Sequence, residues 1–264
     1  MKRTVYLIIS LSVLLLAVIA RAEEGTTTGQ ITGSWITPKN GAMAGGLVLL
    51  FNEASGPPPA HERYWRVSDI KADIDKEGGF SAEVEAGNYY LAAIKRTKEN
   101  EPGPPLDGDF YYLSRDANGA PRLYTVKNGE KTDVGTITEA SPFKRASLKT
   151  ADGITALEGT ITDPEGKPVA GALVLAYLSP EMEGRPLFNS DKTGADGKYL
   201  LRVSEGGDYY LKIRNVYGGG TPETGAIMGH YGTGAPAAAS VTTGAIRKGM
   251  DIKGTRFAGQ GVRQ

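Results

Sequence analysis

Residues 33–49, GSWITPKNGAMAGGLVL, and residues 159–175, GTITDPEGKPVAGALVL, lie 126 positions apart and align without a gap. Seven of the 17 positions are identical: Gly33/Gly159, Pro38/Pro164, Ala44/Ala170, Gly45/Gly171, Leu47/Leu173, Val48/Val174 and Leu49/Leu175. The match continues downstream, where residues 80–84 (FSAEV) answer residues 199–203 (YLLRV) and residues 87–91 (GNYYL) answer residues 207–211 (GDYYL). A period this long belongs to duplicated domains and not to a solenoid of short repeats.

Each copy reads as β-strand. Phe80, Ala82 and Val84 alternate with Ser81 and Glu83, the period-two pattern of a half-buried strand, and Tyr199, Leu201 and Val203 repeat it. Leu47 to Phe51 and Leu173 to Tyr177 are unbroken apolar runs of strand length, as expected of central strands. Between them lie turns rich in Gly and Asp: Asp163-Pro164-Glu165-Gly166, Ala195-Asp196-Gly197 and Lys76-Glu77-Gly78-Gly79. Glycine supplies positive φ there and aspartate can bond the turn backbone. The paired tyrosines Tyr89-Tyr90 and Tyr209-Tyr210 fall inside strands, so one of each pair should face the core and the other the opposite side. No amphipathic helix of convincing length follows the N-terminal segment. Short strands separated by turn signals indicate an all-β sandwich in each copy.

The connection between the copies starts polar and proline-rich, from Thr97 to Pro105, and returns to strand-like sequence at Phe110-Tyr111-Tyr112 and Tyr124-Thr125-Val126. The second copy has a comparable tail through His230-Tyr231, Ser240-Val241-Thr242 and Met250-Asp251-Ile252. The expected division is therefore 30–139 for the first sandwich, 140–155 for a linker and 156–257 for the second.

Composition narrows the chemistry. The 36 glycines and 15 prolines are about a fifth of the 264 residues, and 40% of the chain is hydrophobic, enough for a real core. Thirty basic residues balance 30 acidic ones, so no overall field recruits nucleic acid. The absence of cysteine removes disulfides, thiol catalysis, Cys-ligated zinc, iron–sulfur clusters and thioether-linked haem. Two histidines, His61 and His230, leave little for a metal site or a histidine base. No cofactor and no metal is expected.

The N-terminus reads as a secretory leader over residues 1–22. Lys2 and Arg3 form the basic start, Val5 to Ile19 is apolar apart from Ser10 and Ser12, and Ala20-Arg21-Ala22 is a small-x-small cleavage pattern. The apolar run is short for a membrane span, so cleavage after Ala22 is expected, with no membrane span remaining. Removing Lys2, Arg3 and Arg21 leaves 27 basic against 30 acidic side chains, a net charge of −3. The expected location is secreted: periplasm, cell surface or extracellular.

The run from Leu157 to Val174, LEGTITDPEGKPVAGALV, with the later TGADGKY (193–199) and GDYYL (207–211), resembles the carboxypeptidase regulatory-like domains. The resemblance covers most of 156–257, and a weaker form covers 30–139. It implies two tandem seven-stranded Greek-key sandwiches, transthyretin-like or Ig-like, one in each half of an all-β chain, and is nearly silent on function. Such modules occur beside peptidases, in outer-membrane receptors, and in adhesins and carbohydrate-binding proteins. A related collagen-adhesin repeat forms an internal isopeptide using a glutamate two residues beyond its Gly-x-Tyr-x-Leu strand motif. Here those places are Ala93 and Ile213, and neither first strand carries lysine, so no crosslink is expected. Intradiol dioxygenases share a related sandwich but need two histidines and two tyrosines around iron. His61 and His230 lie in different copies, which rejects that chemistry too.

No catalytic constellation emerges. Ser55, Ser68 and Ser190 have no nucleophile motif around them. Asp163, Glu165, Asp191 and Asp196, with Asp73, Asp75 and Glu77, match no calcium-loop spacing, and turn chemistry accounts for them. Gly218-Gly219-Gly220-Thr221 lacks the Gly-Lys-Ser/Thr and the helix of a phosphate loop. Seven rings near the loops are the candidate ligand contacts: Tyr64, Trp65, Phe110, Tyr111, Tyr112, Tyr217 and Tyr231. Exposed rings at loop ends would stack on sugar faces. The alternative, favoured by a ring's gain on burial, is packing over the open end of each sandwich.

The expected function is a non-catalytic secreted module, structural or binding a glycan or protein partner at the cell surface through long loops such as Glu99 to Asp109 and Gly218 to Gly229. The alternative is a periplasmic accessory subunit that docks on a larger enzyme or transport complex through an exposed apolar patch. An unrecognised hydrolase would require a histidine, a serine and a carboxylate within hydrogen-bond reach. The sequence leaves open the ligand, the oligomeric state and contact between the halves.

Overall fold

The computed structural model describes residues 28–98, 103–145, 153–217 and 221–259. The leader read over 1–22 lies outside these residues, as do parts of the linker and of both long loops. The first half contains β1 (Thr28–Thr37), β2 (Gly41–Ala42), β3 (Leu47–Asn52), β4 (Ile70–Asp73), β5 (Gly79–Glu85), β6 (Gly87–Lys95), β7 (Phe110–Leu113), β8 (Leu123–Val126), β9 (Lys131–Ile137) and β10 (Ser141–Pro142). The second contains β11 (Thr155–Thr162), β12 (Leu173–Tyr177), β13 (Phe188–Asn189), β14 (Lys198–Val203), β15 (Gly207–Arg214), β16 (Ile227–His230), β17 (Ala238–Val241), β18 (Ile246–Arg247), β19 (Ile252–Lys253) and β20 (Thr255–Arg256). Glu53–Ser55, a single 3-10 turn, is the one helical element among the described residues. The chain is all-β, two tandem sandwiches of one smaller and one larger sheet each.

In the first half β1 lies between β5, antiparallel, and β9, parallel, while β10-β7-β6-β3-β4 with β8 on β6 forms the larger sheet. The second half repeats this with β14, β11, β18 and β19 facing β13-β12-β15-β16-β20 and β17. Even the register of the first turn repeats. Ile36 pairs with Ala42, and 126 residues later Thr162 pairs with Pro168.

The identical glycines have a steric reason. A Cβ on Gly159 would lie 2.2 Å from the Met250 carbonyl oxygen, and one on Gly33 would lie 2.8 Å from that of Gly135. At both places the last strands of the half cross against the first one, and only a residue without a side chain admits that approach. The aspartate turns repeat as well. The carboxylates of Asp75 and Asp163 each accept the backbone N–H groups two and four residues on, at 2.7–3.0 Å. Asp116 does the same for Asn118 and Ala120. In each, Oδ1 is taken by turn backbone, and Asp163 Oδ2 accepts from Arg256 at 2.9 Å.

Each half has its own apolar cluster. Ile31, Trp35, Val48, Leu50, Phe80, Tyr89 and Leu91 belong to the first; Leu157, Ile161, Val174, Ala176, Tyr199, Tyr209 and Leu211 belong to the second. Ala93 and Ile213, the places examined for an isopeptide acid, are core residues of the two clusters. The unbroken apolar runs are explained by a second burial. Phe51, Leu173 and Tyr177 lie outside these two clusters yet are buried. The Arg66 guanidinium carbon covers the Phe51 ring at 5.7 Å, and the Lys212 ammonium covers Tyr177 at 5.9 Å. The larger sheets are therefore covered on part of both faces, which is why β3 and β12 do not alternate. Ser141–Pro142, within the stretch read as linker, extends the first larger sheet by pairing with Tyr111 and Phe110.

Candidate functional site at the seam between the sandwiches

The connection from β3 to β4 is long and is built to be stiff. Asn52 caps the 3-10 turn by accepting the Ala54 N–H at 2.9 Å. Pro57, Pro58 and Pro59 then fix φ and leave carbonyls without a local strand partner. The Tyr64 hydroxyl donates to the Pro58 carbonyl at 2.9 Å, and Arg66 donates to the Pro57 carbonyl, to the Asn52 carbonyl at 3.1 Å and to the Asp69 carboxylate at 2.9 Å. A buried guanidinium with one carboxylate and two carbonyls closes the loop on itself.

This loop docks on the second sandwich. Val67 N–H donates to the Leu187 carbonyl at 3.0 Å, Asn189 N–H donates to the Trp65 carbonyl at 3.3 Å, and Arg66 and Phe188 form an antiparallel bridge. Residues 65–67 thus add a short strand to the edge of β13 and satisfy backbone groups that an edge would otherwise expose. Tyr64, 7% exposed, belongs to the core cluster of the second sandwich. Its ring meets Phe188 edge-on at 5.3 Å, and Phe188 meets Tyr209 at 6.1 Å. Further bonds cross the seam from Arg63 to the Gly153 carbonyl and from Arg185 to the Ser68 carbonyl.

Beside the bridge lies a cluster of rings from three segments. His61 lies 5.1 Å from both Tyr111 and Phe143 and 6.3 Å from Trp65, while Phe143 lies 6.0 Å from Trp65. The guanidinium carbons of Arg145 and Arg202 each sit 5.9 Å from the Trp65 ring centre, and Arg145 is ion-paired with Asp191. Burial lowers the Arg202 pKa, opposed by Asp191 and reinforced by Arg145. Loss of water likewise lowers the His61 pKa, with Glu62 raising it and Arg115 lowering it. Phe143 is held by Asp109, whose carbonyl accepts its N–H at 2.6 Å. The Asp109 carboxylate, in turn, accepts from Arg96, Thr97 and Leu106. Tyr217 lies against Gly103 and donates to the Ser190 carbonyl at 3.3 Å; burial raises its pKa to about 12.

Of the seven rings singled out from sequence, Tyr64 and Trp65 are buried in the seam, and Tyr111 and Tyr217 border it. Phe110 and Tyr112 pack against the first core, and Tyr231 packs against the second, all three half-buried. The structure brings in five residues that the sequence reading left aside: His61 as a packing ring, Phe143, Arg145, Asp191 and Arg202. A lone Phe143 in polar sequence and a proline run before His61 are the available signals. The serines do structural work. Ser190 Oγ accepts from Val174 N–H and donates to the Asp191 carbonyl, and Ser68 is buried. His230 Nδ1 lies 3.3 Å from the Tyr231 carbonyl oxygen, in the other half from His61.

One open depression lies at this seam and another on the first sandwich alone. One, of about 470 Å³, is lined by Asn52, Asp69, Glu85 and Tyr89 of the first half and Arg185 of the second. The other, of about 590 Å³, lies over β1, β5 and β9 among Gln30, Thr32, Ser81 and Asp133. Among the described residues, no group of three His, Asp or Glu side chains is placed to hold a metal, and no helix is long and apolar enough to cross a membrane.

The fold defines a tandem β-sandwich protein. No protein-family model matches the chain, and no curated protein matches it. Among solved structures it is similar to the Bacillus anthracis TIE protein at 15% identity and a TM-score of 0.28, over 87% of this chain and 34% of that one. It is similar to a streptococcal ancillary pilin at 15% identity and a TM-score of 0.25, over 88% of this chain and 63% of that one. The minor pilin GBS52 of Streptococcus agalactiae gives 15% identity and a TM-score of 0.25, over 89% and 99% of the two chains. The chain spans about a third of the first of these proteins and under two thirds of the second.

Proposed function

We propose that this chain is a secreted, non-catalytic structural and interaction module: two carboxypeptidase regulatory-like sandwiches, following the leader at 1–22, that hold a binding surface at a fixed geometry at the cell surface. The observation that carries the reading is the seam. A loop of the first sandwich supplies a strand and a core tyrosine to the second, so the two halves present their surfaces as one body. In this reading Tyr64 and Trp65 are spent on joining the halves, and contact with a glycan or protein runs through the half-exposed rings Phe110, Tyr112, Tyr217 and Tyr231. The exposed large apolar side chains among the described residues are Ile36 in β1, Leu123 in β8 and Leu178 just past β12 of the second sandwich. That scatter favours this reading over a subunit docking through one apolar patch.

Glycan-array binding of the mature protein, followed by pull-down from cell-surface extract, tests it. Retained binding that falls at least tenfold in Tyr112→Ala or Tyr231→Ala supports the assignment. Silence in both assays removes the partner-binding half of the proposal and leaves the architectural one.

A further inference from the structure

His61 sits where three segments of the seam meet, and its ring packs on Tyr111 of β7, on Phe143 beyond β10 and on Trp65 of the docking loop. Its Nδ1 is buried and has no hydrogen-bond partner. Nε2 points toward Glu62 at 4.0 Å, where that carboxylate is largely in solvent. A neutral imidazole fits this place, because it can carry its one proton on Nε2 and leave Nδ1 bare. A protonated ring would put a second N–H at Nδ1 with no acceptor, inside a wall of rings.

We propose that His61 is an acid-sensitive latch: protonating its imidazole weakens the packing of Trp65, Phe143 and Tyr111, frees the docking loop from the edge of β13 and lets the two sandwiches move relative to each other. The charged and titratable groups facing it from each packed segment are few. Glu62 on its own loop favours the charged ring, and Arg115 after β7 opposes it. Tyr111 is a phenol whose ionisation burial suppresses. Arg145, two residues past Phe143, is neutralised in part by Asp191. Removal from water is the largest influence, so the docked ring has a pKa below its ordinary 6.5.

The direction of the pH effect follows from that order. Above the ordinary value both docked and undocked rings are neutral and docking is at full strength. As pH falls below it the undocked ring takes up a proton first, and docking weakens by up to about tenfold per pH unit until the docked ring titrates too. Ordinary carboxylates protonate near pH 4, so the window from about 7.5 to 5 lies above them, and the His61→Phe variant separates His61 from His230, which lies beside Tyr231 in the second sandwich.

The full chain labelled with fluorotryptophan reports this directly, because its two tryptophans, Trp35 and Trp65, lie in the first core and in the seam. The expected result is a Trp65 signal, assigned with Trp65→Phe, that moves between pH 7.5 and 5 while Trp35 stays put. Amide protection at Val67 and Asn189, corrected for the pH dependence of intrinsic exchange, should fall with the same midpoint. His61→Phe, which keeps an aromatic ring and cannot titrate, should leave both signals flat. A Trp65 signal that does not move, or that moves equally in His61→Phe, overturns the proposal. Should that variant fail to fold, the imidazole resonances of the unmodified protein decide instead. A His61 midpoint below 6.5 shared with the Trp65 signal upholds the latch. A midpoint at or above 6.5, or one not shared with Trp65, ends it.

Discussion

Tyr89 and Tyr209 occupy equivalent places in the two halves, and each donates its hydroxyl to the carbonyl four residues earlier, Glu85 and Glu205, at 2.9 Å. Both are core residues, while their neighbours Tyr90 and Tyr210 are half-buried on the opposite face. The strand period alone shows that one tyrosine of each pair must turn inward, but not which one. The corner before β6 and β15 decides it, by leaving a carbonyl within reach of the first ring. Tyr89→Phe and Tyr209→Phe should each lower stability by about 1 kcal/mol in urea unfolding, and by similar amounts if the repeat is energetic as well as geometric. Gly159→Ala is expected to cost about 1–3 kcal/mol, since the new methyl would meet the backbone of Met250 at 2.2 Å and backbone cannot rotate away. The glycine identity at 33 and 159 was legible as a match; its cause, a parallel strand crossing above, was not, because the last strands come roughly 100 residues later in each half.

The docking loop is the element that sequence reading leaves dark. It has no counterpart in the repeat alignment and no periodicity, and its partner strand lies more than 100 residues away. Tyr64 and Trp65 stand out as rings near a loop, and the sequence favours packing over ligand contact without showing what they pack on. In the structure, the three prolines, the Arg66 brace and the β13 edge set their place together. Val67→Pro removes the N–H that bonds the Leu187 carbonyl and should loosen the loop along the β13 edge, leaving the core of the first sandwich untouched. Amide exchange at Asn189 should then rise while that of Leu91, in the first core, is unchanged. Tyr64→Ala removes a ring from the second core and should cost about 3–5 kcal/mol, with loss of protection first around Phe188. An equal loss in both halves would show that the ring does not belong to the second core in particular.

At the scale of the molecule, the two halves are copies that became unequal where they meet. The first contributes a long connection between β3 and β4, and the second contributes the short strand β13 on which it docks. Duplication and the all-β class were legible from identities and alternation, which are local. The mutual arrangement of the halves depends on a few long-range contacts and left only indirect traces: unbroken apolar runs in β3 and β12, and aromatic residues in otherwise polar connections. Because the seam combines backbone pairing, a shared core residue and a ring cluster, heating should give one cooperative transition for the chain and not two. The most direct test of the joined geometry is a spin-label distance between Lys127→Cys in the first sandwich and Lys248→Cys in the second. The chain has no native cysteine, and both positions are exposed. A single narrow distance at neutral pH that broadens in Val67→Pro is the result expected of two sandwiches locked by the docking loop. A broad distribution in the parent chain, or one that Val67→Pro leaves unchanged, would contradict it.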